Sequence, residues 1–276
     1  MRFVETDTAR YAIEIHQRSE NLPRILLLHG FMGDRRIWDP MIERFCSFSN
    51  PITLDLLGHG DTSKPTEAEP YREKHQLADL LHIIQSLELS PLLLLGYSMG
   101  GRLALKTALR NPSLFSGLIL ESTNCGITDE AKREERKSTD HSRAAAIEDN
   151  FQKFLENWQK LDLFQSPLPQ DEQRVKRYNS IQSQQSAEAV AASLRGFGTG
   201  FMQAVCRDVA ELELPVLLLA GSDDKKYQQI CAFLEDKLPN AIFASVRGGH
   251  RVHLDNPKSY LEEIHKFIDR LWTGKQ

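Results

Sequence analysis

Nothing in the 276-residue sequence approaches the ~18 consecutive apolar residues that a membrane-spanning helix needs. The opening Met1-Arg-Phe-Val-Glu-Thr-Asp7 also lacks the apolar stretch of a secretory signal, so the expectation is a cytoplasmic protein that spans no membrane. Excess charge of one sign is missing too: 34 Lys and Arg stand against 38 Asp and Glu, a net charge of -4. That balance argues against a nucleic-acid-coating surface or a polybasic membrane anchor, and any anion the protein binds needs a local cluster of cations. Cysteine is sparse. Cys46, Cys125, Cys206 and Cys231 are scattered without a C-x-x-C pair, so neither a zinc knuckle nor a disulfide framework is predicted, and all four are expected to be free, inert thiols. No metal site is expected either, because His250-x-x-His253-x-Asp255 has no supporting ligand cluster.

What the sequence has is a large apolar content, 41%, enough for one sizeable core. Short apolar runs recur at Tyr11 to His16, Ile25 to His29, Ile52 to Asp55, Leu92 to Tyr97, Leu118 to Glu121, Val216 to Ala220 and Ile242 to Val246. Leu92-Leu-Leu-Leu and Val216-Leu-Leu-Leu do not alternate with polar residues, which is the pattern of parallel strands covered by helices on both faces. Helical spacing falls between the strands, at Ile37 to Phe45, Glu73 to Leu87, Met99 to Leu109, Tyr227 to Leu238 and Pro257 to Leu271. This alternation predicts an α/β fold with a mostly parallel, doubly wound sheet. The first run and the next, joined through Gln17 to Pro23, are expected to form an antiparallel hairpin at one edge.

The alternation stops between about Gly126 and Val205, where charged and Gln-rich helical stretches follow one another. The expected organisation is a core of residues 1–125 and 205–276 with an inserted helical cap, or lid, over 126–204. Within the cap, Asp129 to Arg143 holds five acidic and five basic residues, the composition of a solvated helix face. Gly196-Phe-Gly-Thr-Gly200 has no strand before it, so it is read as a cap hinge and not as a nucleotide loop; no cofactor is expected.

Gly96-Tyr97-Ser98-Met99-Gly100 follows one apolar run and opens a helical one. This is the setting of a nucleophile elbow, a strained turn that lifts a serine hydroxyl above the sheet while flanking glycines avoid collisions. A serine is a weak nucleophile or base alone, so an acid and a histidine should follow further along the chain. Gly221-Ser-Asp-Asp224 and Gly248-Gly249-His250 both lie just beyond strands, at the rim where an open α/β sheet keeps its site. Asp224 fits the Gly-x-x-Asp spacing, with Asp223 as the rival and helix capping as its other role; His250 is preferred over His253 and His59. The oxyanion hole is expected from the backbone N–H groups of Met99 and of Phe31, in His29-Gly30-Phe31, each worth about 3 kcal/mol in a transition state. Asp55-Leu-Leu-Gly58-His-Gly60 is read as a structural turn beside the site.

With these residues assembled, the chain resembles the α/β-hydrolase superfamily over nearly its whole length. Within that superfamily it resembles the 2-succinyl-6-hydroxy-2,4-cyclohexadiene-1-carboxylate synthases of menaquinone and phylloquinone biosynthesis. The resemblance is carried by Leu28-His-Gly-Phe-Met-Gly33, Gly96-Tyr-Ser-Met-Gly-Gly-Arg102, Leu194-Arg-Gly-Phe-Gly-Thr-Gly200, Gly221-Ser-Asp-Asp-Lys-Lys-Tyr227 and Gly249-His250. It implies a catalytic triad of Ser98, Asp224 and His250 in a lyase that eliminates pyruvate from 2-succinyl-5-enolpyruvyl-6-hydroxy-3-cyclohexene-1-carboxylate. The partner it implies is a small tricarboxylate substrate. Arg102, four residues after Ser98, lies on the same helix face. The resemblance adds Arg136, Tyr97 and Trp158 as substrate-binding positions. Leu57 stands where the family usually has proline, and Gln182 falls near the register of a further cap arginine. Two alternatives share the same residues: a serine hydrolase acting on an ester or a carbon-carbon bond, and a noncatalytic ligand receptor.

Overall fold

The computed structural model describes residues 1–169 and 171–273. In chain order the elements are β1 (Arg2–Glu5), β2 (Arg10–Ile15), β3 (Arg24–Leu28), α1 (Asp39–Phe45), β4 (Asn50–Leu54), α2 (Glu73–Ser86), β5 (Leu92–Tyr97), α3 (Met99–Arg110) and β6 (Phe115–Glu121). Four helices follow: α4 (Glu130–Asp149), α5 (Phe151–Gln159), α6 (Glu172–Ser183) and α7 (Ala187–Phe197). The chain closes with β7 (Val216–Gly221), α8 (Lys225–Lys237), β8 (Ala241–Val246), the short α9 (Val252–Asp255) and α10 (Pro257–Thr273).

The eight strands form one sheet in the order β1-β2-β4-β3-β5-β6-β7-β8. From β4 to β8 the pairing is parallel, while β1 with β2 and β2 with β4 are antiparallel. The apolar runs sit at the centre for a simple reason: successive side chains of a strand point to opposite faces, so a strand apolar at every position needs a cover on both. Leu92 and Leu94 pack with the helices α2, α3 and α8, whereas Leu93 and Leu95 pack with α1 and α10. Each such leucine, fully buried, contributes about 2 kcal/mol.

The hairpin expected between the second and third strands does not form. β2 pairs with β1 and β4, and β3 lies between β4 and β5 in parallel register. The reason is burial: Ile25 to Leu28 are all inaccessible and need neighbours on both sides, which an edge position lacks. The expectation of four free thiols is also corrected. Cys125 and Cys206 form a disulfide with their Cα atoms 5.0 Å apart, while Cys46 and Cys231 are free and buried. Cys125 follows β6 and Cys206 precedes β7, so neighbouring parallel strands bring together two residues 81 apart in sequence. Spacing alone cannot disclose such a pair.

Candidate active site

The serine turn is built by close backbone approach. Ser98 joins β5 to α3 with φ 51° and ψ -104°, a costly conformation for a residue with a Cβ. A Cβ on Gly96 would lie 2.5 Å from the Gly100 carbonyl oxygen, and one on Gly100 would lie 2.5 Å from that of His29. Only glycine fits at either place. Ser98 is partly accessible and lines a cavity of about 150 Å³ between the strand ends and the inserted helices.

Asp224 caps α8, accepting a hydrogen bond from the Tyr227 N–H at 3.2 Å with Oδ1, while Oδ2 lies 2.8 Å from His250 Nδ1. One carboxylate therefore both ends the loop and orients the imidazole. Its neighbour Asp223 is exposed and accepts from the Ser222 hydroxyl at 2.6 Å, away from the histidine. A Cβ on Gly221 would lie 2.1 Å from the Gly249 carbonyl oxygen, so the acid and histidine loops meet because both carry glycine. Burial among Tyr97, Tyr227 and Phe164 lowers the His250 pKa below the usual histidine value, against the opposing pull of Asp224. The imidazole is thus neutral near pH 7 and can accept a proton. His250 lines the same cavity as Ser98, with no hydrogen bond between the two side chains among the described residues. Catalytic contacts of this kind often tighten only around substrate.

Phe31 and Met99 flank the cavity, and neither backbone N–H has a backbone acceptor among the described residues. Met99 is the first residue of α3, where the helix leaves its N–H groups unpaired and its dipole favours negative charge. The other histidines lie elsewhere. His253 pairs with Glu121 at 2.8 Å, and His59 is buried between the Met32 N–H and the Leu57 carbonyl, with its pKa lowered to about 3 by burial. Among the described residues no group of three His, Cys, Asp or Glu could hold a metal ion. Asp55 holds the Arg35 backbone and guanidinium and accepts from the Asp61 N–H, consistent with a structural turn.

The roof is cationic. Arg102 is buried and donates to the Thr199 hydroxyl at 2.8 Å and to the Phe197 carbonyl at 3.2 Å; burial, with Arg136 nearby, brings its pKa down to about 10. Arg136 pairs with the buried Asp140 at 2.8 Å. Two residues not expected as substrate contacts join them at the cavity wall, the half-buried Arg143 and the more exposed Lys226 of the Lys226-Tyr227 pair; partial desolvation and the charge of Arg136 lower the pKa of each. Arg143 lies seven residues after Arg136 on one face of α4, its guanidinium carbon 5.3 Å from the Trp158 ring centroid. That spacing was the available signal. Trp158 packs edge-on against Phe31 at 5.7 Å, and Tyr97 lines the wall beside Ser98. The glycines of 196–200 serve close packing: a Cβ on Gly198 would meet the Asp140 carboxylate at 2.5 Å, and one on Gly200 the Lys137 backbone at 2.6 Å. No helix among the described residues is long and apolar enough to cross a membrane.

Residues 23–257 match the family model described as alpha/beta hydrolase fold. A Bacillus subtilis (strain 168) protein, provisionally named as a 2-succinyl-6-hydroxy-2,4-cyclohexadiene-1-carboxylate synthase, is 33% identical over 95% of this chain and 96% of its own length. The protein of that name from Serratia proteamaculans (strain 568) is 28% identical over 92% of this chain and 96% of its own. The solved structure of MenH from S. aureus superposes with a TM-score of 0.90 at 31% identity, covering 95% of this chain and 98% of that one. Sheet order, elbow and these likenesses agree that the chain belongs to the alpha/beta hydrolase family.

Proposed function

We propose that the protein eliminates pyruvate from 2-succinyl-5-enolpyruvyl-6-hydroxy-3-cyclohexene-1-carboxylate, giving 2-succinyl-6-hydroxy-2,4-cyclohexadiene-1-carboxylate. The observation that carries the reading is the charge of the cavity. Arg102, Arg136, Arg143 and Lys226 line it, and no carboxylate does among the described residues. Asp140, buried behind Arg136, neutralises one of the four, which leaves three positive charges for a substrate with three carboxylates. Each charge-assisted hydrogen bond so formed contributes about 1.5–3 kcal/mol. A neutral ester would offer no anion to the buried Arg102 or to the half-buried Arg136 and Arg143. The names of the similar synthases support the same substrate class.

In the mechanism, neutral His250, oriented by Asp224, takes the Ser98 hydroxyl proton. Ser98 Oγ in turn accepts the ring proton next to the succinyl carbonyl. The electron pair moves onto the carbonyl oxygen, which the Phe31 and Met99 N–H groups hold. It returns through the ring double bond and breaks the carbon-oxygen bond to the enolpyruvyl group. The leaving enolate takes up the proton and departs as pyruvate. Atoms balance without a cofactor or water, and no acyl-enzyme forms. Residues 126–204 act as a cap over a core of 1–125 and 205–276, with Trp158 and Tyr97 as apolar walls. The reading belongs to the cytoplasm, where disulfides are uncommon and thiol reductants would work against the Cys125–Cys206 bond.

The test is pyruvate release from the enolpyruvyl substrate, run beside a panel of neutral esters. Wild type is expected to release pyruvate and to leave the esters largely untouched. Ser98→Ala should fold normally and lose at least about a thousandfold in kcat. Ester turnover without pyruvate release would overturn the reading in favour of a serine hydrolase.

A further inference from the structure

A second buried histidine–carboxylate pair lies behind the first. The side chain of Glu121, the last residue of β6, is 0% exposed and that of His253 is 1% exposed. Glu121 Oε1 lies 2.8 Å from His253 Nδ1 and accepts from the His253 N–H at 3.1 Å. The Glu121 carbonyl accepts from the Ser98 N–H at 2.9 Å. The next residue extends the pattern. The Ser122 hydroxyl donates to the His250 carbonyl at 2.9 Å, and the Ser122 N–H donates to Leu219 of β7, the strand that leads to Asp224, at 2.8 Å. Ser122 has φ 47°, an unfavourable backbone for serine that these two hydrogen bonds hold in place.

We propose that Glu121 and Ser122 are positioning residues: together they clamp the segment from His250 to His253 at both ends, and Glu121 sets a second negative charge behind the imidazole. The clamp bonds to the serine turn, to the acid's strand and to the histidine segment, so it fixes all three relative to one strand end. It concerns how His250 is held, whatever the substrate. His250 faces Asp224 at the cap of α8, Tyr227 from α8, Tyr97 from β5 and Glu121 from β6, with Arg251 alongside it; Glu121 itself faces His253 and the Tyr260 hydroxyl. Asp224 and Glu121 raise the proton affinity of His250, whereas burial and Arg251 lower it.

The experiment is an NMR titration of His250 in the full chain, which needs no substrate. Glu121→Gln keeps a side-chain acceptor for His253 and removes the charge, so the His250 pKa is expected to fall by about half a unit or more. Ser122→Gly suits the φ of 47° and removes the hydroxyl together with its Cβ, so it should fold even where the glutamine variant does not. With the carbonyl of His250 released, its Nδ1 proton resonance, protected by Asp224 in the wild type, should broaden and exchange faster with water. A folded Glu121→Gln protein with an unmoved pKa would overturn the electrostatic half. An unaltered Nδ1 proton in Ser122→Gly would overturn the clamp.

Discussion

Arg143 is one residue in a helix crowded with charge, yet it alone of its turn reaches the cavity beside Trp158. Replacing it with glutamine removes one cation and keeps most of the side chain's bulk. On the proposed reaction, Arg143→Gln is expected to raise KM for the tricarboxylate about tenfold or more, with a smaller change in kcat, because the proposal has it meet a carboxylate remote from the proton being moved. Steady-state pyruvate release measures both; an unchanged KM would remove Arg143 from the substrate site. The sequence makes Arg102 legible, since it falls one turn after Ser98. Arg143 carries only the weaker signal of lying two turns after Arg136, because Asp129 to Arg143 mixes signs and the packing of α4 on α7 decides which members turn inward. The adjacent carboxylates Asp223 and Asp224 pose the same difficulty: spacing offers two candidates, and a 2.8 Å hydrogen bond to His250 distinguishes them.

Among the elements, the turn between β5 and α3 was the most readable. Its glycines answer to fixed backbone atoms, so their spacing is written into the chain. Gly96→Ala would force a methyl group against the Gly100 carbonyl and the Gly101 Cα, each 2.5 Å away, where no side chain can swing aside. The expected cost is about 3 kcal/mol or more of stability, read from urea denaturation, with much lower activity in whatever folds. A variant as stable as wild type would contradict the packing described for the elbow. Strand neighbours were less readable than strands. The link from β2 to β3 is short enough for a hairpin, and only the uniform burial of Ile25 to Leu28 explains why the chain crosses over β4 to seat β3 centrally. β1 escaped notice because Arg2-Phe-Val-Glu5 is brief and only Val4 is buried in it.

For the whole molecule, acidity should be destabilising. Burial lowers the pKa values of His29, His59 and His250 in the folded protein, that of His59 to about 3, from an ordinary value of 6.5. Unfolding lets these imidazoles take up protons that the native state refuses, so stability is greatest above pH 6.5 and declines below it. The slope is about 1.4 kcal/mol per pH unit for each histidine until its folded value is reached. Urea denaturation at pH 7.5 and 5.5 should differ by at least about 1.4 kcal/mol, the share of His59 alone, with His29 and His250 adding in the same direction; equal midpoints would refute the assignment. The Cys125–Cys206 bond closes a loop of 81 residues, for which the chain-entropy view gives about 4.5 kcal/mol; Cys125→Ser should lose most of it in the same assay. The bond has a topological result as well. Residues 126–205 hang as a closed ring from a single crosslink, so a proteolytic nick anywhere within them leaves the two pieces of the protein on one covalent thread until a reductant is added.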